Sequence, residues 1–167
     1  LEVADIRGNI TTRIEKVRRG DYAATILAKA GLVRAGLSEA ISEELEVQWF
    51  LPAPRQGILA LEVRAEDTSA LELIGKLDHR ASRLAAAAEQ GVLLGLEAGC
   101  HSAVGGLAQV DGTTVRLQAE LADPETGEVE SVTGETQSDS VDEIRAWAIQ
   151  LVEPLRSSEL ATKVGLS

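Results

Sequence analysis

The sequence predicts a protein of mixed class, in which part of an α/β layer precedes a small α+β domain. Over residues 1–36, strand-like and helix-like segments alternate in the order β-α-β-α, which is typical of a parallel α/β unit. Over residues 78–167, a helix is followed by three strand-like segments and a second helix, which is typical of an antiparallel meander covered by helices. Hydrophobic residues form 44% of the 167 residues but aromatic residues only 2%, so we expect a core of Leu, Val, Ile and Ala.

The first elements are short. Residues 1–6 are predicted to be the end of a strand, and Asn9 is predicted to be the N-cap of a helix from about 10 to 19. Residues 22–28 are apolar and β-compatible, which predicts a buried strand, and residues 30–36 predict a short helix or turn. Because two strands are too few for a stable layer, we expect this half-domain to need strands from outside the chain.

A connector follows an acidic run. Pro52 and Pro54 lie close together and predict an extended, restricted backbone. Residues 58–63 are predicted to form an apolar strand that ends in a polar turn. We therefore expect the chain to cross between domains near residues 52–57 and again near residues 64–78.

Two helices are predicted in the last part of the chain. The first runs from about residue 80 to 96, with Asp78 or Ser82 as its cap. Its apolar stripe at helical spacing consists of Leu84, Ala88, Val92 and Leu96. The final helix runs from Ser140 to about Glu153, and Ser140 and Glu143 have the spacing of a capping box.

Three strands are predicted between these helices, at residues 103–110, 114–121 and 129–136. Apolar and polar residues alternate along the second strand, so one face of the sheet is expected to be buried and the other wet. Asp111-Gly112 predicts a tight hairpin, and residues 124–127 predict a second turn.

Charge is unevenly distributed. The net charge is −11, yet residues 1–36 hold seven bases and four acids and carry +3, while the remainder carries −14. A basic segment in an acidic chain suggests a local anion site, the alternative being that Lys16, Arg18 and Arg19 only coat solvated helix faces. Nucleic acid and membranes are not expected as partners, since the chain is acidic overall and has no apolar run of membrane-spanning length.

Three arginines are candidates for the anion site. Arg7 follows the first predicted strand and precedes a helix N-terminus, and Arg13 lies near the start of that helix. Arg34 follows the next strand, as Arg7 follows the first. Because ligands of open α/β sheets bind beyond the carboxyl ends of the strands, the three could converge on one carboxylated or phosphorylated ligand.

Cys100 is the only thiol. A lone cysteine is usually a small buried hydrophobe, but a thiol in a helix-to-strand loop can also be a nucleophile or an attachment point. His101 is adjacent, but neighbours in sequence often point apart, and His79 is predicted to lie on the surface. With one Cys and two His, no metal site is expected. Cysteine scarcity fits a reducing compartment, which predicts a cytoplasmic location.

Four segments together resemble the porphobilinogen deaminase (hydroxymethylbilane synthase) family, in the family's order and spacing. They are Ile6–Arg13, Gly20–Arg34, Leu51–Gly57 leading into Ala60–Glu62, and Ala88-Glu89 followed by Leu94–Cys100. The resemblance extends over essentially the whole chain.

The resemblance implies a transferase that joins four porphobilinogen molecules head to tail into hydroxymethylbilane, with loss of ammonia, in tetrapyrrole (heme) biosynthesis. A dipyrromethane cofactor, bound to a cysteine by a thioether, anchors the growing chain, and Cys100 matches that cysteine. Positions that hold the acetate and propionate groups of the cofactor and intermediates, or line the same cleft, are matched by Arg7, Arg13, Leu27, Gly31 and Arg34.

The resemblance also implies a domain plan. Residues 1–51 would be the second half of domain 2, an α/β domain of the periplasmic-binding-protein type. Residues 52–77 would cross to domain 1 and supply a strand to it, and residues 78–167 would be domain 3, which bears the cysteine. The chain is thus expected to be the C-terminal portion of a longer, monomeric enzyme. The family's catalytic aspartate lies in the missing portion, so the fragment alone is expected to be inactive, to lack dipyrromethane, and to self-associate.

Three positions depart from the family pattern. Arg55 stands where glycine is usual, Gln90 where an arginine usually follows Ala-Glu, and Ala98 where the first glycine before the cysteine is usual. These departures motivate an alternative hypothesis, a non-enzymatic module that binds tetrapyrroles or other polycarboxylates on the deaminase scaffold. The presence of Cys100 argues against it, since a pure binding module has no use for a thiol there.

Overall fold

A computed structural model describes residues 2–99 and 102–166. It divides the chain into two compact units, one up to Glu46 and one from Val47. Over the described residues the helices are α1 (Ile10–Arg18), α2 (Lys29–Arg34), α3 (Thr68–Gly75), α4 (Arg80–Gly95), α5 (Val141–Leu151), α6 (Glu153–Arg156) and α7 (Glu159–Lys163). The strands are β1 (Val104–Asp111), β2 (Thr114–Ala122) and β3 (Val129–Gln137). None of the described helices has both the length and the apolar character needed to cross a membrane.

The first unit contains α1, α2 and a short 3₁₀ turn at Ser38–Ala40. The predicted N-cap is confirmed, because Asn9 Oδ1 accepts hydrogen bonds of 2.9 Å from both the backbone N–H and the hydroxyl of Thr12. One apolar side chain of each helix, Ile14 and Leu32, is buried. The unit thus has the predicted helices and a very small core.

The strands predicted at residues 1–6, 22–28 and 58–63 are wrong for the described residues, none of which pairs into a sheet there. A strand is stable only when its N–H and C=O groups meet those of a partner strand, and apolar segments with no partner remain unpaired. In the first unit the Tyr22 hydroxyl instead donates a 2.7 Å hydrogen bond to the Asp5 carbonyl. The expectation that these segments need strands from elsewhere stays a prediction.

The three strands predicted in the second unit are confirmed. They form an antiparallel sheet in the order β1-β2-β3, with Val104 opposite Leu121 and Leu117 opposite Gly134. The β1–β2 hairpin turns at Gly112, whose φ of +59° suits glycine. The predicted alternation in β2 is also confirmed, since its buried residues are Val115, Leu117, Ala119 and Leu121.

Helix α4 packs on the buried face of this sheet, and its predicted apolar stripe is fully buried. The cap differs from the prediction, since neither Asp78 nor Ser82 is the N-cap. His79 is: its ring Nδ1 accepts from the Ser82 N–H at 3.3 Å and also lies 2.9 Å from the Ser82 hydroxyl. Asp78 instead pairs with Arg83 at 3.6 Å. His79 is exposed, as predicted.

Two glycines let α4 approach α5 closely. A Cβ added at Gly91 would lie 2.5 Å from Ala148 Cβ and 2.7 Å from the Arg145 carbonyl oxygen. One added at Gly95 would lie 2.5 Å from a methyl group of Val152. Glycine at two positions one turn apart therefore makes a groove on α4 that receives α5.

The start of α5 matches half of the predicted capping box. Ser140 Oγ accepts from the Glu143 N–H at 3.3 Å, as a cap does. The Glu143 carboxylate does not return to Ser140, because it accepts from the Ser138 hydroxyl at 2.6 Å, and that hydroxyl accepts from the Ser140 N–H. Pro154 lies in the first turn of α6, just beyond the end of α5.

Helix α3 was not predicted, although residues 64–78 were expected to be a crossing. Asp67 caps it by accepting a 3.0 Å hydrogen bond from the Ala70 N–H. The signal in the sequence is Asp67, an N-cap residue that lies three residues before the helix formers of positions 70–73. Leu73 in this helix is 65% exposed and Leu77 beyond it 70%, so its apolar side chains have little to pack against in this chain.

A buried carboxylate fastens the C-terminal helix to the β2–β3 turn. Asp123, only 4% exposed, accepts from the Thr126 hydroxyl at 2.7 Å and from the Glu125 N–H at 2.8 Å. Lys163 of α7 lies 2.7 Å from the same carboxylate. The hydrogen bond from Lys163, followed by those from Thr126 and Glu125, holds the pKa of Asp123 well below its usual range.

Substitution of Gly91 by alanine tests the α4–α5 contact. Gly91→Ala is expected to lower the free energy of unfolding by about 1–2 kcal/mol, since the clash with backbone exceeds the gain in helix propensity. Urea denaturation followed by circular dichroism measures it. Gly75→Ala is the matched control, because a Cβ there meets nothing within 4 Å, and its stability should stay equal or rise. Equal stability of the two variants would contradict the close packing.

At acid pH the contact between Asp123 and Lys163 should contribute less to stability. The pKa of Asp123 is lower in the folded chain than the unfolded value of about 3.9, so its contribution is present above pH about 4 and is lost as the pH falls further. The difference in unfolding free energy between the wild type and Asp123→Asn should therefore shrink below pH about 4. Asp139→Asn, at an exposed site, controls for loss of one carboxylate. A pH-independent difference for Asp123→Asn would contradict the ion pair.

Candidate functional site

The loop before α1 carries the first predicted site residue. Gly8 adopts φ +125°, a backbone conformation that is rare for residues with a side chain. A Cβ at this position would lie 2.8 Å from the Thr12 side chain. Asn9 then begins the helix. Glycine and asparagine in this order turn the chain sharply, so Arg7 lies exposed directly before the α1 N-terminus.

Two cations of α1 hold that loop. Arg13 Nε donates to the Gly8 carbonyl at 2.9 Å, and Lys16 Nζ donates to the Arg7 carbonyl at 3.1 Å. The structure therefore places the side chains of Arg13 and Lys16 against the backbone of the loop that carries Arg7. A shared anion site for Arg7 and Arg13 stays a prediction. Sequence analysis assigned Lys16 no site role, although its position three residues after Arg13 places both on the same helix face.

Gly31 has a packing role. A Cβ at this position would lie 2.8 Å from the Ile10 side chain, so glycine allows α2 to lie against α1. Leu27, which precedes α2, is half-buried. Of these two predicted cleft residues, Gly31 is thus placed beside the helix that carries Arg13.

Arg34 lies exposed in the last turn of α2. Over the described residues, no hydrogen bond or ion pair links its side chain to Arg7 or Arg13. Convergence of the three arginines on one ligand stays a prediction. The Arg13 guanidinium lies against the loop that precedes the α1 N-terminus. This group is suited to carboxylates, because Arg keeps its charge and presents paired donors.

Cys100 and His101 lie outside the described residues, so the prediction for the thiol has no structural outcome. The preceding backbone is described: α4 ends with Glu97 at φ +51°, and the Ala98 N–H donates back to the Leu93 carbonyl at 2.9 Å. Gly99 N–H donates to the Ser102 hydroxyl at 3.1 Å. Hydrogen bonds thus fix the chain on both sides of position 100.

An ion pair supports the end of α4. The Arg156 guanidinium lies 2.5 Å from the Glu97 carboxylate and links this loop to α6. Glu97 occupies the left-handed position that usually favours glycine in this helix ending. Ala98, which departs from the family pattern, follows Glu97. It is half-buried and packs against the hydrophobic core.

Glu89 has a structural role that the sequence pattern did not reveal. Its carboxylate, 5% exposed, accepts from the Ala108 N–H at 2.9 Å and from the Arg55 N–H at 2.5 Å. Burial raises the pKa of Glu89, and the two backbone hydrogen bonds and the Arg55 charge oppose that rise without cancelling it. A lone acid within the otherwise uncharged stretch 84–95 was the available signal.

The departures at Arg55 and Gln90 both have structural correlates. Arg55 adopts φ +66°, the left-handed region in which glycine is unstrained. Gln90 Oε1 accepts a 3.1 Å hydrogen bond from Arg145, which also pairs with Asp142 at 2.7 Å. The guanidinium of Arg145, a residue of α5, therefore lies beside Gln90.

Comparison with known proteins gives two family matches. Residues 1–72 match the family described as "Porphobilinogen deaminase, dipyromethane cofactor binding domain". Residues 83–155 match "Porphobilinogen deaminase, C-terminal domain".

Curated relatives carry the same name. The chain is similar to the porphobilinogen deaminases of Roseiflexus sp. (strain RS-1), at 43% identity over 71% of this chain and 39% of the relative, and of Pelotomaculum thermopropionicum, at 42% identity over 75% of this chain and 40% of the relative. A third, from Mycolicibacterium gilvum, is 46% identical over 66% of this chain and 35% of the relative. The chain thus spans about two fifths of the length of the curated relatives it matches.

The left-handed backbone at position 55 predicts a stabilising substitution. Arg55→Gly should raise the free energy of unfolding by about 1 kcal/mol, because glycine adopts φ +66° without the steric cost that a Cβ imposes. Arg55→Ala is the matched control, since it removes the same guanidinium but keeps the Cβ. Chemical denaturation at pH 7 compares them. If Arg55→Ala stabilised the chain as much as Arg55→Gly, the side chain and not the backbone would be the cause.

Proposed function

Because this chain belongs to the porphobilinogen deaminase family, we propose that it is the C-terminal part of a transferase that condenses four porphobilinogen molecules into hydroxymethylbilane. The observation that carries the proposal is the pair of family matches, at residues 1–72 and 83–155, in one chain. Ammonia is lost at each condensation. The substrates and intermediates bear acetate and propionate groups, so they are strongly anionic.

The basic cluster of the first unit would bind those carboxylates. Arg13 uses Nε for the Gly8 carbonyl, and its terminal nitrogens make no hydrogen bond to the other described residues. They can therefore take a carboxylate in a paired arrangement. Arg7, Arg34, Leu27 and Gly31 complete the proposed site, in which Lys16 acts by holding the Arg7 carbonyl in place.

Cys100 would hold the dipyrromethane cofactor through a thioether. When bound, that cofactor supplies the pyrrole end to which substrate is joined. The chain's contribution is to fix the attachment loop, through the helix ending at Glu97 and the Gly99–Ser102 hydrogen bond. No position of this chain matches the family's catalytic aspartate, so the acid that must protonate the leaving amine would come from the rest of the enzyme.

The proposed domain plan assigns residues 1–51 to half of an α/β domain of the periplasmic-binding-protein type. Residues 52–77 would lead to domain 1, and residues 78–167 would be domain 3. The apolar side chains of Leu59 and Leu61, 78% and 58% exposed, support a strand that pairs elsewhere in the enzyme. The full enzyme would act as a monomer in the cytoplasm, whereas this chain alone would self-associate through such surfaces.

A chimera tests the function. The part of the Roseiflexus relative that precedes the matched stretch is fused to this chain, and the product is analysed by intact mass and by release of hydroxymethylbilane. We expect a mass increase of two linked pyrroles and turnover, both lost in Cys100→Ser. Arg13→Leu should lower kcat/KM at least about tenfold, because a charge-assisted hydrogen bond is lost. Arg18→Leu, in the same helix but outside the proposed site, should not.

The chain without the fused segment is measured alongside the chimera. By itself it should show neither the mass increase nor turnover. Turnover by this chain alone would overturn the assignment of catalysis to the rest of the enzyme. A folded chimera that binds polypyrrole carboxylates reversibly, without covalent addition at Cys100, would instead support the binding module.

A further inference from the structure

Residues 51–55, here called the strap, run along the outer edge of β1. The Gly106 N–H donates to the Pro52 carbonyl at 2.9 Å, which pairs the strap with the edge strand. A Cβ at Gly105 would lie 2.8 Å from the Leu51 side chain, and one at Gly106 would lie 3.0 Å from Pro54. Two consecutive glycines in β1 thus allow the strap to lie directly on the strand.

Glu89 fastens the far end of the strap. One carboxylate oxygen accepts from Ala108 in β1 and the other from Arg55, the last strap residue. Each oxygen therefore holds a backbone N–H of a different segment, and Glu89 itself is anchored in α4. The positive charge of Arg55 opposes the rise that burial causes in the pKa of Glu89.

The residues directly after Arg55 differ from the strap in their exposure and contacts. Gln56 and Gly57 are exposed, and a Cβ at Gly57 would meet nothing within 4 Å. Turn hydrogen bonds join Gln56 to Ala53 and Ile58 to Arg55, and beyond them Leu59 is 78% exposed. Among the described residues, the backbone hydrogen bonds of residues 56–58 are therefore local turns, and none of them joins β1.

We propose that Glu89 is a positioning residue that locks the strap to β1, so that residues 51–55 move as one body with the C-terminal sheet and the chain flexes at Gln56-Gly57. The prolines, which by themselves suggest a crossing at 52–57, then belong to the anchored body. The strand they cover begins four residues after Cys100 in the sequence. The inference depends on contacts within this chain and not on the proposed function.

Amide hydrogen exchange of the whole 167-residue chain, measured residue by residue by NMR, tests the proposal. In the wild type the N–H groups of Arg55, Gly106 and Ala108 should be protected, and that of Gly57 should not. In Glu89→Gln only one side-chain oxygen accepts, and the amide nitrogen faces a donor. Exchange at Arg55 and Gly106 should then accelerate at least about tenfold, while Ala119 in β2 stays unchanged.

Two further variants make the result specific. Glu153→Gln is the matched control, since the side chain of this exposed glutamate makes no hydrogen bond or ion pair with the described residues, and it should leave the strap amides unchanged. Gly105→Ala leaves Glu89 intact but pushes on Leu51, so it should accelerate exchange at the strap even if Glu89→Gln fails to fold.

Three results would overturn the proposal. The first is an Arg55 amide that exchanges as fast as Gly57 in the wild type. The second is a folded Glu89→Gln variant with wild-type exchange at Arg55 and Gly106. The third is equal acceleration at Ala119, which would show that Glu89 contributes only to global stability.

Discussion

The buried carboxylate of Glu89 links three segments of the second unit. Glu89 extends from the middle of α4 toward the sheet and accepts from two backbone N–H groups, one in β1 and one at Arg55. A buried carboxylate without partners would cost several kcal/mol, so the hydrogen bonds are required for its presence in the core. Because those donors belong to segments 53 residues apart in the sequence, a single side chain fixes the helix, the edge strand and the strap relative to one another.

Close packing between neighbouring segments is the second constraint on the structure, and several glycines permit it. Gly91 and Gly95 admit α5 to α4, Gly105 and Gly106 admit the strap to β1, and Gly31 admits α2 to α1. Arg55 and Glu97 differ from these glycines, because each adopts a left-handed backbone conformation with a side chain present. Arg55 lies where the strap ends and the exposed connector begins, and strain is tolerated where the surrounding contacts define the backbone.

Each unit contains residues to which we assign a proposed role. The first unit supplies positive charge in an acidic chain, with Arg13 and Lys16 holding the carbonyls of the loop that presents Arg7. The second supplies a loop fixed on both sides of position 100, by the helix ending at Glu97 and by the hydroxyl of Ser102. The proposed chemistry requires cations for a polycarboxylate and an attachment point for the cofactor.

The sequence by itself determined the elements whose partners are local or adjacent: the Asn9 cap, the α4 stripe, the β1–β2–β3 meander and the basic cluster around Arg13. Their signals are periodicity, turn residues and capping spacing, which act within a few residues. The segments at 22–28 and 58–63 read as strands but are unpaired, because strand formation depends on partners that the sequence pattern cannot supply. Only the tertiary structure decided the role of Glu89, the conformation of Arg55 and the attachment of the strap. Each of these depends on contacts between residues far apart in sequence, which no local pattern encodes.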